Sequence, residues 1–195
     1  MISFHTGIQA LRKFKVNSLN ERIQALIPDL ELIGTEYIHF IQSDKDLNQS
    51  NKKALYKLLD YAPGVNLVNS KHKITITPRI GTISPWSSKA TDICKLCGLS
   101  VVSRIERGIN YHFDRAVSAN ELATILELVM DKMTESHLEN LSNADSLFNE
   151  QEPKKCSNID ILSSGKSAIE ESNVELGLAL SDDEIDYLYN QFSKL

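Results

Sequence analysis

Two cysteines three positions apart, Cys94 and Cys97, are the first pair whose type and spacing could hold a metal ion or form a redox centre. A structural zinc site needs four ligands, usually from two such pairs, and the remaining cysteine, Cys156, lies far along the chain. A redox pair is expected in a thioredoxin-like context, which the flanking residues lack. The pattern therefore favours two small buried side chains on a helix over residues 87–96, with no metal site.

Other chemical motifs are incomplete. Gly165-Lys166-Ser167 resembles the end of a phosphate-binding loop, but that motif needs a glycine where the chain has Asp160. No G-x-S-x-G elbow is present to support a serine hydrolase. The five histidines are dispersed, without the spacing of a metal-binding helix, at His5, His39, His72, His112 and His137. The sequence thus predicts no catalytic residue.

The segment Thr77–Asp92 is unusual in composition, because it holds two of the five prolines and the only tryptophan. Within it, Pro85-Trp86-Ser87-Ser88 is typical of a turn into a helix, with Ser87 or Ser88 as the N-cap. Free amides at such a helix start can hold an anion or an acidic partner. From the residues alone, a structural loop whose tryptophan fills a core and a binding site remain equally open.

The surrounding elements indicate an α+β domain. Periodicity predicts helices over residues 8–27, 47–61 and 119–135, and strands over residues 31–42, 73–77 and 101–113. In the last strand Ile105 and Ile109 fall on one face, and Arg104 and Glu106 fall on the other. Helices that alternate with strands in this way favour a ferredoxin-like sheet with the helices on one face.

The chain has 195 residues and a net charge of −5, which hides a division. Residues 1–134 carry 17 basic and 13 acidic groups, a balance of +4, whereas residues 135–195 carry 4 and 13, a balance of −9. Basic residues are scattered, so no nucleic-acid partner is predicted. No apolar run suits a membrane helix and no secretory signal is visible, so we expect no membrane partner and a cytoplasmic location.

The division in charge agrees with a predicted organisation in three parts. Residues 1–148 form the α+β domain, residues 149–159 a polar linker, and residues 160–195 a small helical region. In the helical region Ser181-Asp-Asp-Glu184 is a capping box before the second of two short helices. Two short helices bury little apolar surface, so we expect them to pack against another part of a larger protein.

Four stretches of the chain resemble a known family. TPRIGTISPWSSKATDI, which begins at Thr77, looks like the signature of the N-terminal domain of the large single-chain phosphoribosylformylglycinamidine synthase, the formylglycinamide ribonucleotide (FGAR) amidotransferase. The other three follow in the family's order: Glu36–Phe40, Arg104–Gly108 and Leu176–Leu188. The resemblance covers nearly the whole chain and departs from the family at Ile80, where proline is typical.

The resemblance implies a place in a large enzyme of purine biosynthesis. In that family a C-terminal glutaminase domain hydrolyses glutamine, and a synthetase domain uses ATP and Mg to convert FGAR to its amidine. The N-terminal domain resembles a fused pair of PurS-type subunits and is followed by a helical linker domain. By this resemblance residues 1–148 are the PurS-like domain and residues 160–195 an incomplete linker domain. The chain itself is expected to hold no cofactor and to be inactive alone.

We therefore expect a scaffold fragment whose partners are the synthetase and glutaminase domains. The expected interface comprises Arg79, Thr82, Ser84, Trp86, Ser87, Ser88, Lys89 and Asp92, with Arg104, Glu106 and Arg107 as secondary members on a charged strand face. Trp86 is expected as the apolar anchor. Two alternatives remain open, namely a standalone PurS-like adaptor that works in trans with separate synthetase and glutaminase chains, and an independent small-molecule binder or enzyme that uses the Trp86 loop.

Overall fold

A five-stranded antiparallel sheet forms the centre of the first of two compact units, Met1–Gln151 and Glu152–Leu195, in the computed structural model. Residues 1–61, 70, 72–149 and 155–194 are described. The strands are β1 (Ile2–Gln9), β2 (Leu32–Ser43), β3 (His72–Pro78), β4 (Val102–Phe113) and β5 (Glu135–Leu138). Their order across the sheet is β1-β2-β4-β3-β5, so the two longest strands pair near its middle.

Four helices cover one face of this sheet, as the sequence predicts for the α+β class. They are α1 (Lys13–Leu26), α2 (Gln49–Leu58), α3 (Pro85–Leu96) and α4 (Ala119–Val129). Helices α1 and α4 bury Ile23 and Ile125 against one end of the sheet. Helices α2 and α3 bury Leu55 and Cys94 against the other end. The helical face therefore holds two apolar clusters, which we name the α1–α4 core and the α2–α3 core.

The opposite face is partly covered by a 3₁₀ helix, Leu141–Leu147, whose Leu147 packs with Ile38 and Phe40 of β2. The predicted helices and strands stop at residue 135, so the sequence does not reveal this 3₁₀ helix or the strand β5 before it. A short strand and a 3₁₀ helix form because β3 offers its free edge: His137 of β5 lies opposite Ile76 of β3. Of the predicted linker, residues 149–159, positions 150–154 lie outside the described residues.

Two predicted helix boundaries are also wrong. The helix predicted from residue 8 begins at Lys13, and the residues before it form β1, which pairs with β2 through a register shift between Thr6 and Ile8. Apolar Ile8 belongs to this strand and not to the helical stripe. The helix predicted to reach residue 135 ends at Val129, because the chain turns there to enter β5.

The second unit contains α5 (Ile161–Ser164), α6 (Lys166–Leu176) and α7 (Asp182–Phe192). The sequence predicts two helices, but Gly165 adopts φ of +71° and separates α5 from α6. The capping box before α7 is confirmed, with Ser181 and Glu184 bonded reciprocally. Across the described part of the chain, every helix is too short or too polar to cross a lipid bilayer.

Candidate functional site

The loop that precedes α3 is attached to strand β4 by one buried carboxylate. Glu106 is 1% exposed, and it accepts from the amide of Ser84 at 3.2 Å and from the Ser84 hydroxyl at 2.7 Å. The Ser84 hydroxyl also accepts from the Ser87 amide at 3.0 Å and so caps α3. The N-cap is therefore Ser84, and the prediction of Ser87 or Ser88 is wrong because Pro85 occupies the first helical position.

Arg104 completes this arrangement. Its guanidinium donates to Glu106 Oε1 from Nη2 at 2.6 Å and from Nε at 3.2 Å. A further bond from Nη2 reaches the carbonyl of Thr82 at 2.7 Å. The edge of β4 at this height has no strand beside it in the described structure, because β3 pairs with β4 only from Ile109 onward. Arg104 and Glu106 therefore bind the loop to an edge that would otherwise be open.

The structure divides the predicted site residues by exposure. Arg79, Thr82, Ser88, Lys89 and Asp92 are exposed, and Ser84 and Trp86 are half-buried. Ser87 is fully buried, and its hydroxyl has no hydrogen-bond partner among the described residues. Arg104 and Glu106 thus hold the loop from inside, Ser87 is buried at the start of α3, and the exposed members lie where a partner can reach them.

Arg107 differs from the other predicted residues because it lies on the opposite face of β4. The sequence groups Arg104, Glu106 and Arg107 on one charged strand face, and this is wrong, since adjacent residues of a strand alternate. The Arg107 Cζ lies 4.3 Å from the ring centroid of Tyr37 and 4.6 Å from that of Trp86. Its guanidinium therefore sits between two aromatic rings on the helical face.

An aromatic and histidine cluster that the sequence does not reveal continues from Trp86. The rings of His39 and Trp86 lie 5.3 Å apart between centroids. Tyr61 donates its hydroxyl proton to the carbonyl of His5 at 2.7 Å, so the short contact between Tyr61 and His39 Nδ1 has the histidine as donor. A correct pairing of β1, β2 and β4 would have shown the cluster, because His39 lies opposite both His5 and Arg107.

Two members of this cluster, His39 and Tyr61, are held uncharged. Burial lowers the pKa of His39 to about 3, and the nearby charge of Arg107 acts in the same direction. Burial also raises the pKa of Tyr61 well above its usual value. The two groups are therefore fixed as a neutral hydrogen-bonded pair near neutral pH, which gives the cluster a structural character rather than that of an acid or base.

A second buried polar group lies on the other face of the sheet. Glu36 accepts from Asn110 Nδ2 and from His112 Nε2, each at 3.1 Å, and Thr75 donates to Asn110 at 2.8 Å. Burial alone would raise the pKa of Glu36, but these two hydrogen bonds hold it below its usual value. His112 Nδ1 is buried without a hydrogen-bond partner in the described structure.

The cysteine prediction is correct for one residue. Cys94 is buried in the α2–α3 core, whereas Cys97 follows the end of α3 and is exposed. Within residues 1–61, 72–149 and 155–194, no three His, Cys, Asp or Glu side chains come together in a way that could hold a metal ion.

A protein-family match covers the part of the chain that contains most of these contacts. Residues 36–148 match the family described as formylglycinamide ribonucleotide amidotransferase N-terminal. The match includes the part of β2 that supplies Tyr37 and His39, and the whole loop from Arg79 to α3. It extends over more than half of the chain. The chain therefore belongs to the family of N-terminal regions of the formylglycinamide ribonucleotide amidotransferase, an enzyme of purine biosynthesis.

Proposed function

We propose that this chain is a non-catalytic assembly module that helps to hold the glutaminase domain of the amidotransferase against its synthetase domain. The observation that carries the proposal is the combination of a loop fixed from inside and a helix whose outer face is left apolar. Glu106 fixes the loop at Ser84, while Ile93 and Leu96 of α3 are 50% and 86% exposed.

The outer face of α3 has the composition of a protein interface. Ile93 and Leu96 are three residues apart on one side of the helix, and Lys89 and Asp92 are exposed beside them. Ile83, in the loop before the helix, is 61% exposed. Apolar side chains surrounded by charged ones are typical of surfaces that bind another protein. We name this set of five residues the α3 surface.

Trp86 has a different role in this proposal from the one that the sequence suggests. It is half-buried and packs against the α2–α3 core, His39 and Arg107. A tryptophan held in this way fixes the position of α3 on the sheet, and it leaves partner contact to the exposed side chains. In our proposal Arg79, Thr82, Lys89 and Asp92 supply the polar contacts around the α3 surface.

The proposal assigns the chemistry of the reaction to the other domains. The buried ionisable groups near the loop are committed to internal bonds: Glu106 accepts four hydrogen bonds and His39 is held neutral. Such groups are poor candidates for a general acid or base. ATP and Mg would bind to the synthetase domain, and the cytoplasmic location expected from the sequence is part of the same proposal.

The test is association with the separately produced synthetase–glutaminase part of the amidotransferase. We expect the full chain to bind that part and to restore or raise its amidotransferase activity. Leu96→Glu should weaken binding at least about tenfold, because it places a charge in the centre of the α3 surface. Phe14→Glu is the matched control, since Phe14 is 64% exposed on α1, and it should bind like the wild type.

Thermal unfolding of both variants is measured as a control, to test whether a variant that binds weakly is still folded. The proposal is wrong if the wild-type chain does not associate with the synthetase–glutaminase part. It is also wrong if folded Leu96→Glu and Phe14→Glu bind that part equally well.

A further inference from the structure

Arg107 is the positive group whose position the fold explains least. Its guanidinium lies against two aromatic rings, with Cζ 4.3 Å from the ring centroid of Tyr37 and 4.6 Å from that of Trp86. Contacts with ring faces do not satisfy the N–H donors of a guanidinium, which point outward in its plane. Among the described residues, none of the ion pairs includes Arg107.

Arg104, three residues earlier on the same strand, shows what a structural arginine looks like here. Its guanidinium has the Glu106 carboxylate at 2.6 Å and the Thr82 carbonyl at 2.7 Å. Arg107 has rings in place of these acceptors. A half-buried charge with unused donors is costly unless something outside the unit satisfies them. The difference between the two arginines therefore indicates an external acceptor for Arg107.

A groove of about 300 Å³ on the helical face gives access to Arg107. Ser84 and Pro85, at the start of α3, lie on its lining, which also includes Tyr37. The start of a helix carries partial positive charge, which adds to that of Arg107. Glu135 also lines the groove, and its carboxylate accepts from the Asp131 amide at 2.9 Å. The groove thus combines the guanidinium of Arg107, the start of α3 and the Glu135 carboxylate, which already accepts one hydrogen bond.

The geometry points to a carboxylate as the missing acceptor. We propose that the groove receives an aspartate or glutamate side chain from the synthetase–glutaminase part of the amidotransferase. Arg107 would bind its carboxylate through bidentate hydrogen bonds. The planar guanidinium matches a carboxylate, and its contacts with Tyr37 and Trp86 restrict its movement in advance. This inference rests on the proposed assembly function and adds to it the charge of the partner.

A carboxylate suits the groove better than a phosphate for two reasons. Glu135 lies in the same groove and repels a dianion more strongly than a single negative charge. Apolar groups of Pro85, Ile109 and Tyr37 line the groove beside the fork, and they can pack against the methylene stem of an acidic side chain. A protein segment with an acidic residue provides both parts.

The first test measures association of the full chain with the synthetase–glutaminase part. Arg107→Gln removes the charge and the fork, and we expect it to weaken association at least about tenfold and to reduce its salt dependence. Arg22→Gln changes an exposed arginine of α1 and should leave both unchanged. Circular dichroism and thermal unfolding confirm that each variant folds, and emission from Trp86, the only tryptophan of the chain, reports the altered stacking.

The second test identifies the carboxylate directly. Arg107→Lys places a primary amine in the groove, and a carbodiimide joins such an amine to a carboxylate as an amide while it takes up the released water as a urea. We expect peptide mapping to find position 107 joined to an aspartate or glutamate of the synthetase–glutaminase part. Arg22→Lys, treated in the same way, should give no such product at position 22.

The outcomes separate the two proposals. If the wild-type chain associates but folded Arg107→Gln binds as tightly, the carboxylate inference is wrong and the assembly function stands. The same holds if Arg107→Lys joins to no partner carboxylate. Inorganic phosphate that displaces the partner much better than N-acetylglutamate, at equal ionic strength, would overturn the preference for a carboxylate. If the wild-type chain does not associate, both proposals are wrong.

Discussion

The carboxylate of Glu106 accepts hydrogen bonds from both the amide and the hydroxyl of Ser84, at 3.2 and 2.7 Å. The residue before α3 is thus bonded to the side chain of a central strand 22 positions later in the chain. The hydroxyl caps the helix at the same time, so one serine fixes both the loop and the start of α3. The proposed α3 surface depends on this connection for its position.

Removal of the Glu106 carboxylate should therefore cost substantial stability. Glu106→Ala leaves the guanidinium of Arg104, whose side chain is 14% exposed, without its ion partner. We expect the free energy of unfolding of the first unit to fall by about 3 kcal/mol, and by less for Glu106→Gln, which can still accept a hydrogen bond. Urea denaturation measures both. Glu127→Gln, on the exposed side of α4, is the control, and an equal effect of Glu106→Ala and Glu127→Gln would contradict this account.

The two N-cap serines of the first unit, Ser84 and Ser118, provide a matched pair. Each caps a helix and each donates its hydroxyl to a glutamate, Glu106 or Glu121. Replacement by alanine should cost about 1 kcal/mol for the cap alone in both cases. Ser84→Ala should cost about 1 kcal/mol more, because it leaves a buried acceptor, whereas the Glu121 side chain is 22% exposed. Chemical denaturation gives both values, and equal losses would show that burial of Glu106 adds nothing.

Gly108 is required by close contact between two strands. A Cβ added at Gly108 would lie 2.5 Å from the carbonyl oxygen of Ile76 and 3.3 Å from Ile38 Cγ2. We expect Gly108→Ala to destabilise the first unit by about 1–3 kcal/mol and to speed amide exchange in β3. Gly98→Ala tests a different cause, since a Cβ there meets nothing within 4 Å and only the positive φ of +81° opposes it. A normal exchange pattern in Gly108→Ala would contradict the steric explanation.

His39 should make the folded state sensitive to acid. Burial lowers the pKa of His39 to about 3 in the folded chain, against an ordinary value of 6.5, so the unfolded state binds its proton first as the pH falls. The contribution of neutral His39 to the free energy of unfolding is therefore fully present above pH 6.5. It is lost as the pH falls towards 3, at up to about 1.4 kcal/mol per pH unit. His39→Gln should flatten the fall in stability between pH 6 and 4, as measured by urea denaturation at each pH. The groups that face His39 are Arg107, His5 and Tyr61. If the pH dependence of stability is the same in His39→Gln as in the wild type, His39 is not the source of the acid sensitivity.

Some of the fold follows from local pattern. The alternation in residues 101–113 predicts β4, and the capping box at Ser181 predicts the start of α7. These features depend on residues only a few positions apart, so a single sequence contains them. The end of α4 is different, because helix periodicity continues past Val129 and only the free edge of β3 draws the next residues into β5.

The sequence by itself determined the α+β class, the family resemblance and the segment Thr77–Asp92 as the region of interest. Only the tertiary structure decided what the residues of that region do. Glu106 and Arg104 fix the loop internally, whereas Arg107 faces the other side between Tyr37 and Trp86. These pairs are joined by strand register and by the edge that β3 leaves open. Register arises from hydrogen bonds and apolar contacts between distant segments, and no local pattern records it.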